Sequence, residues 1–221
     1  MKKSTSFFAQ IAVIAITGSM MAVSSCQKSE SVLTPAPPGN EFLTTVVLQC
    51  INTKAPYDTE TCLWRDLTPN GSNPPDTSEA ILNLAHGSVY ACNVYILDES
   101  QQKLKSNLMD TNHFNINKLP ANDSTANVTT EIRARQNYHL VCFTMTQGTG
   151  GGLAANLSVV RDDYDNNSPP LQVGLIDTFT STGVVSNGRM EVVLHHQPNV
   201  KNGSCEPGSP DFDVFYTVNI K

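Results

Sequence analysis

The C-terminal segment FDVFYTVNI constrains the fold of this chain most strongly. Its apolar residues recur with a period of two, which in a strand places them all on one face. That face carries Phe212, Val214, Tyr216, Val218 and Ile220, and the opposite face is mostly polar. The pattern predicts a strand that lines a core on one side and meets solvent on the other.

Five further segments have the same β-branched and aromatic character, at residues 44–51, 88–98, 137–145, 153–160 and 188–196. Turn residues (Gly, Pro, Asn and Asp) separate them. The best helix-like pattern is the short segment 77–86. Many short strands with few helices predict an all-β fold, a single antiparallel β-sandwich of immunoglobulin-like or jelly-roll-like type, over residues 43–221.

The N-terminal segment predicts export. Lys2 and Lys3 precede an apolar run at 7–16 and small residues up to Ser25, as in a secretory signal peptide spanning residues 1–25. The run is too short and too interrupted for a membrane-spanning helix. Val23-Ser24-Ser25-Cys26 resembles a bacterial lipobox, so we expect Cys26 to be diacylated and to become the first residue. Residues 26–42 contain a Pro-rich stretch typical of a tether.

The residues after Cys26 and the charge of the chain indicate its surroundings. Residues 27–30 (QKSE) are similar to the surface-export signal of Bacteroidetes lipoproteins. Loss of Lys2 and Lys3 takes the net charge from −6 to −8, and no basic stripe is present, so we expect no nucleic-acid partner. We expect a protein anchored by lipid in the outer membrane, facing the periplasm or the cell surface.

The cysteines predict one disulfide bond. Five remain besides Cys26, so they cannot all pair within the chain. Cys50 and Cys62 flank a short polar excursion and form the expected bridge. Cys92 and Cys142 lie inside apolar strand-like runs, where a cysteine can act as a small core residue.

Three histidines form the first candidate metal site, for a transition metal or haem. On a strand, His196 would share the apolar face and His195 the opposite one, while His139 shares the apolar face of its own segment. If these strands meet, His139 and His196 would converge with a carboxylate such as Asp213. The alternative is that these histidines are strand-end residues bonded to backbone or solvent.

The segment RDDYDNNSPP contains the second candidate, for calcium. Asp163, Asp165 and Asn167 alternate as in an oxygen-rich calcium loop. Ser168 replaces the glycine of an EF-hand, and Gly174 stands where its closing glutamate would be. A structural calcium in another loop geometry is the remaining interpretation.

No catalytic motif is present: the sequence lacks G-x-S-x-G and H-E-x-x-H, so we predict that the protein is not an enzyme. A hydrolase would need two opposed carboxylates in a cleft, and sequence alone cannot identify such a pair.

Several stretches together carry a resemblance: LTTVVLQC at 43–50, CLWRD at 62–66, YACNVYILDES at 90–100, TEI at 130–132 with HLVCF at 139–143, GLIDTF at 174–179, VVLHHQPNVKNG at 192–203 and DFDVFYTVNI at 211–220. In this order they resemble a family of Bacteroidetes outer-membrane lipoproteins of unknown function, often labelled type I periplasmic binding fold proteins. That label implies a two-lobed α/β structure, whereas the strand-rich pattern here favours a sandwich.

The combined interpretation is a lipid-anchored protein of the cell envelope whose β-sandwich acts as a non-catalytic binding or accessory module. The expected partners are the membrane itself, through the lipid, and an outer-membrane uptake receptor. The alternative function is capture of a metal or haem by the strand histidines.

Overall fold

The computed structural model describes residues 43–67, 73–99, 127–146 and 152–221, together with the backbone of residues 109–110 and 113–114. The predicted signal peptide (1–25), Cys26 and the predicted tether (26–42) lie outside the described residues. The described part therefore begins where the sequence predicts the start of the β-sandwich.

The described residues form mainly strands. Their bounds are β1 (Thr45–Asn52), β2 (Thr59–Arg65), β3 (Ile81–Leu84), β4 (Val89–Leu97), β5 (Met109–Asp110), β6 (His113–Phe114), β7 (His139–Thr146), β8 (Leu157–Arg161), β9 (Ile176–Ser181), β10 (Val185–His196) and β11 (Ser209–Ile220). The helical segments are α1 (Val128–Ala134), a 3₁₀ turn (Gln136–Tyr138) and α2 (Leu153–Asn156).

Two sheets form the sandwich. The first has the order β2-β1-β4-β9-β8 and the second the order β3-β11-β10-β7, while β5 and β6 pair with each other. Neighbouring strands are antiparallel except β3, which runs parallel to β11. The prediction of an all-β, antiparallel-rich sandwich is confirmed.

The core lies between the two sheets and is built from the period-two residues. The alternating apolar residues of β11 are buried, as are Tyr90 of β4 and Phe179 of β9. The ring of Phe143 meets that of Phe179 edge to face, with centroids 5.5 Å apart. The hydroxyl of Tyr216 donates to the carbonyl of Val46 at 2.8 Å, which joins β11 of one sheet to β1 of the other.

Strand β9 pairs only with the first part of β4. Helix α1 lies beside the remaining part of β4, where no described strand is paired on that side. The hydroxyl of Thr129 accepts from the N–H of Ile96 at 2.8 Å and donates to its carbonyl at 3.1 Å. One side chain thus replaces the missing strand neighbour. Among the described residues, the helices are too short to cross a membrane.

The disulfide pairing differs from the prediction. Cys50 pairs with Cys92, Cys142 pairs with Cys205, and Cys62 is a free, buried thiol, so the expected Cys50–Cys62 bridge is wrong. The strand register explains the difference. Cys50 lies opposite Cys92 in the β1–β4 pair, with Cα atoms 4.1 Å apart, but opposite Glu60 in the β1–β2 pair.

Candidate functional site

The histidine prediction is correct in placing two of the three rings together. Strands β7 and β10 pair with His139 opposite His196, and the two rings stack with centroids 4.9 Å apart and planes 7° from parallel. The adjacent carboxylate is Asp211, whose Oδ2 lies 3.6 Å from His139 Nε2. Asp213 lies instead on the opposite face of the sheet, with His195, so the expected role of Asp213 is wrong.

The environment of His139 favours its neutral form. Burial lowers the pKa of His139 to about 4; the bond to the Arg135 carbonyl acts against this effect, and the positive charges of neighbouring groups add to it. Its Nδ1 bonds to the carbonyl of Arg135 at 3.0 Å, so Nδ1 carries the proton in the neutral ring. Burial also raises the pKa of Asp211.

The stacked geometry does not suit a metal. The lone pairs of imidazole nitrogens lie in the ring plane, so two nearly parallel rings cannot aim both lone pairs at one ion between them. Over the residues that the structure describes, no three His, Cys, Asp or Glu side chains are grouped closely enough to hold a metal ion. His139, His195 and His196 are therefore not grouped as ligands of a single metal ion.

The calcium interpretation of Asp163, Asp165 and Asn167 is also wrong, because protein donors take up the carboxylate oxygens. Asp165 accepts from Lys201 Nζ at 2.7 Å, from the N–H groups of Asn167 and Leu171, and from the amide of Asn167. Asp163 accepts separately from the N–H groups of the 174–175 turn. The two carboxylates thus bind different sets of protein donors.

A polar depression occupies the surface beside the histidine pair. Its volume is about 580 Å³, and three segments line it: the 3₁₀ turn with Asn137 and Tyr138, the 167–171 turn, and the 199–202 turn that follows β10. The first and third segments meet because β7 begins where β10 ends in the antiparallel pair, and the 167–171 turn follows β8 of the other sheet. We call this feature the amide depression, since its lining includes Asn137, Asn167, Asn199 and Asn202.

Direct hydrogen bonds hold the three turns together. Lys201 Nζ donates to the carbonyl of Gln136 at 2.9 Å as well as to Asp165, which links all three segments. The N–H of Asn166 donates to Asn137 Oδ1 at 3.0 Å, and the N–H of Gln197 donates to the carbonyl of Tyr138. The depression is therefore formed before any ligand arrives.

Side-chain hydrogen bonds and a disulfide also hold the segment that follows β10. The buried amide of Gln197 donates to the carbonyls of Ser204 and Pro207, each at 2.8 Å. The Cys142–Cys205 disulfide ties the same segment to β7. Such cross-links restrict a loop that would otherwise be free to move.

Among the described residues that line the depression, none offers a free charge to a ligand. Lys201 is the only charged residue among them, and the Lys201 and Asp165 side chains are 2% and 0% exposed. Burial lowers the pKa of Lys201, and Asp165 acts against that effect. For Asp165, burial raises the pKa, but the hydrogen bonds from Lys201, Leu171 and Asn167 outweigh it, so the pKa is lowered.

Three asparagine amides are each fixed at one end. Asn137 Oδ1 and Asn202 Oδ1 accept backbone N–H groups, whereas Asn167 Nδ2 donates to Asp165. These partners determine which end is oxygen and which is nitrogen. Within the described part of the chain, three amide groups have no hydrogen-bond partner: the NH₂ groups of Asn137 and Asn202 and the Oδ1 of Asn167. Two donor groups and one acceptor oxygen therefore remain for a ligand.

A second, smaller groove lies between α1 and the histidine pair. Its lining includes Glu131 and Asp211, the kind of carboxylate pair that a hydrolase would need. Its free volume of about 20 Å³ holds roughly one water molecule. A sugar ring or a peptide bond does not fit between these two side chains as they stand.

Sequence reasoning missed the residues of the amide depression except Asn167, which it assigned to a calcium loop. The signal was present in three turns, NYH at 137–139, NNSPP at 166–170 and PNVKNG at 198–203. Asparagine is frequent in turns for conformational reasons alone, so each turn was unremarkable in isolation. The β7–β10 pairing brings the first and last of these turns together, and Lys201–Asp165 and Asn166–Asn137 contacts join the 166–170 turn to them.

No family model matches this chain, and neither a curated protein nor a solved structure is significantly similar to it.

Proposed function

We propose that this protein is a lipid-anchored component of the cell envelope whose β-sandwich binds a ligand, without catalysis, at the amide depression. The observation that carries the proposal is the cross-linking of three turns around a concave, polar surface. Binding sites are commonly built from loops that a rigid scaffold positions. Here the scaffold is the β7–β10 pair and its disulfide.

The anchoring part of the proposal rests on the sequence. The signal-like segment 1–25 and the lipobox-like residues before Cys26 favour acylation of that thiol. Two acyl chains hold a protein at a membrane far more firmly than one. Anchoring would concentrate the domain next to an outer-membrane uptake receptor, the partner that we propose for it. The resemblance to Bacteroidetes outer-membrane lipoproteins agrees with this arrangement.

The test uses the tagged full-length protein in its own membrane. The wild type is compared with Cys26→Ala and with a depression variant, Asn137→Asp combined with Tyr138→Ala, after chemical cross-linking. We expect the wild type in the membrane fraction, cross-linked to a partner protein. Cys26→Ala should be released from the membrane. The depression variant should stay anchored but should not be cross-linked to the partner. Equal capture by the wild type and the depression variant would remove the amide depression from the proposal. Retention of Cys26→Ala in the membrane would remove the lipid anchor.

A further inference from the structure

We propose that the amide depression binds a neutral, hydroxyl-rich ligand, an uncharged oligosaccharide. This inference rests on the proposed function, since it names the ligand class of the same site. The argument begins with charge. Lys201, the one cation that the described part of the chain places in the lining, is neutralised by Asp165, and both side chains are buried. A phosphate or carboxylate ligand would find no free counter-charge there.

The hydrogen-bonding groups of the site match hydroxyl groups. A sugar hydroxyl both donates and accepts, so it is best met by neighbouring donors and acceptors of fixed position. Asn137 Nδ2 and Asn202 Nδ2 supply donors, and Asn167 Oδ1 supplies an acceptor. The amide of Asn199, which has no partner in the described ranges, can supply either kind of group. A ligand carrying several hydroxyl groups would satisfy these atoms together.

The apolar part of the lining matches the other face of a sugar ring. Tyr138 is 43% exposed at the edge of the depression, and Pro169 and Leu171 contribute apolar surface nearby. A pyranose has a face of C–H groups that packs against an aromatic ring, while its hydroxyl groups point outward. Ligand sites typically combine such apolar surface with a few well-placed polar groups.

The size and rigidity of the depression also suit an oligosaccharide. Its volume of about 580 Å³ lies within the usual range for small-molecule sites. Because Lys201, Asp165 and the Gln197 amide already fix the three turns, a ligand need not order them on binding. Preorganisation reduces the entropic cost of association.

The variants are chosen to preserve the fold. Asn137→Asp and Asn202→Asp keep the oxygen that accepts the backbone N–H but turn the free donor into an acceptor. Tyr138→Ala removes the exposed ring, and Tyr138→Phe keeps the ring without its hydroxyl. The matched controls are Asn187→Asp, near the opposite end of β10, and Tyr57→Ala, a side chain that is 92% exposed between β1 and β2.

The experiment is calorimetric titration of the full-length protein in detergent. The probes are maltohexaose, cellohexaose, xylohexaose and mannohexaose, with heparin and polygalacturonate as charged comparisons. We expect at least one neutral probe to bind. Asn137→Asp, Asn202→Asp and Tyr138→Ala should each weaken it about tenfold or more, the size expected for one lost hydrogen bond or packed ring. Tyr138→Phe should bind more tightly than Tyr138→Ala, and both controls should bind as the wild type does.

Three results would overturn the inference: no neutral probe binds at millimolar concentration, the charged probes bind more tightly, or the depression variants bind as the controls do. These results are distinguishable from failure of the proposed function. If the membrane experiment captures a protein in a depression-dependent manner while no neutral oligosaccharide binds, the binding function stands and the oligosaccharide assignment falls.

Discussion

Lys201 donates to Asp165 across 2.7 Å, and this buried ion pair joins the turn after β10 to the turn after β8. Removal of one member leaves the other as an uncompensated buried charge. We predict that Lys201→Met lowers the free energy of unfolding by about 3 kcal/mol. This is the lower end of the usual range for breaking a buried ion pair, because Asp165 keeps its hydrogen bonds from Asn167 and Leu171. Chemical denaturation measures the loss.

The control for this change is Lys54→Met, because Lys54 is exposed. A surface lysine contributes little to stability, so this variant should remain within about 0.5 kcal/mol of the wild type. Equal stabilities of Lys201→Met and Lys54→Met would show that the ion pair does not hold the turns together.

Asp177 should destabilise the folded state as pH rises. It lies in the core with neither carboxylate oxygen hydrogen-bonded among the described groups, and burial raises its pKa to about 8, with the charge of Asp163 adding to the effect. The folded state therefore holds a proton that the unfolded state releases near pH 4. The resulting penalty grows as pH rises from about 4 and levels off above about 8.

The prediction is that Asp177→Asn is more stable than the wild type by on the order of 3 kcal/mol at pH 7, with no gain near pH 3. Denaturation curves at both pH values provide the comparison. Asp213→Asn, an exposed carboxylate on the outward face of β11, should show no such gain. An unchanged or lower stability of Asp177→Asn at pH 7 would contradict the raised pKa.

His139 should destabilise the folded state as pH falls, which is the opposite of the effect of Asp177. Burial lowers its pKa to about 4, below the 6.5 of an unperturbed histidine, so the unfolded state takes up the proton first as pH falls. The contribution of His139 to the free energy of unfolding has its full value above about pH 6.5. It decreases towards pH 4, by up to about 3 kcal/mol. His139→Gln keeps a donor for the carbonyl of Arg135 and removes the titration.

We expect His139→Gln to lose less stability than the wild type between pH 7 and pH 4, as followed by thermal unfolding. His86→Gln, an exposed histidine, should follow the wild-type curve. Parallel curves for the wild type and His139→Gln would show that His139 titrates normally.

The cysteines make a prediction about chemical reactivity. Burial raises the pKa of the Cys62 thiol, and its Sγ donates to the carbonyl of Leu48. Since the thiolate is the reactive form, Cys62 should resist iodoacetamide in the folded protein and react in denaturant without reductant. Peptide mapping should find Cys50 joined to Cys92 and Cys142 joined to Cys205. Alkylation of Cys92, or a peptide joining Cys50 to Cys62, would contradict this pairing.

The strand pattern of the sequence predicts much of the fold. The alternating segments correspond to β1, β4, β7, β10 and β11 within three residues at each end. The segment at 153–160 is half correct, because residues 153–156 form α2 before β8 begins. These segments carry their own signal, since one face of each is buried against the opposite sheet.

Strand β3 illustrates where local signals fail. The segment 77–86 has a helix-like spacing, yet Ile81–Leu84 pairs with the end of β11. Leu82 and Leu84 enter the core on alternate positions, and that packing outweighs local preference. The disulfides and the amide depression depend likewise on strand register and on which turns meet, and neither follows from local sequence.

The most direct test of the central claim is nitrogen–proton correlation NMR of the full-length protein during titration with the neutral hexasaccharides. The account predicts that the side-chain NH₂ signals of Asn137 and Asn202 shift in a saturable manner while that of Asn187 does not. Unmoved Asn137 and Asn202 signals at millimolar saccharide, or shifts confined to residues outside the depression, would contradict it.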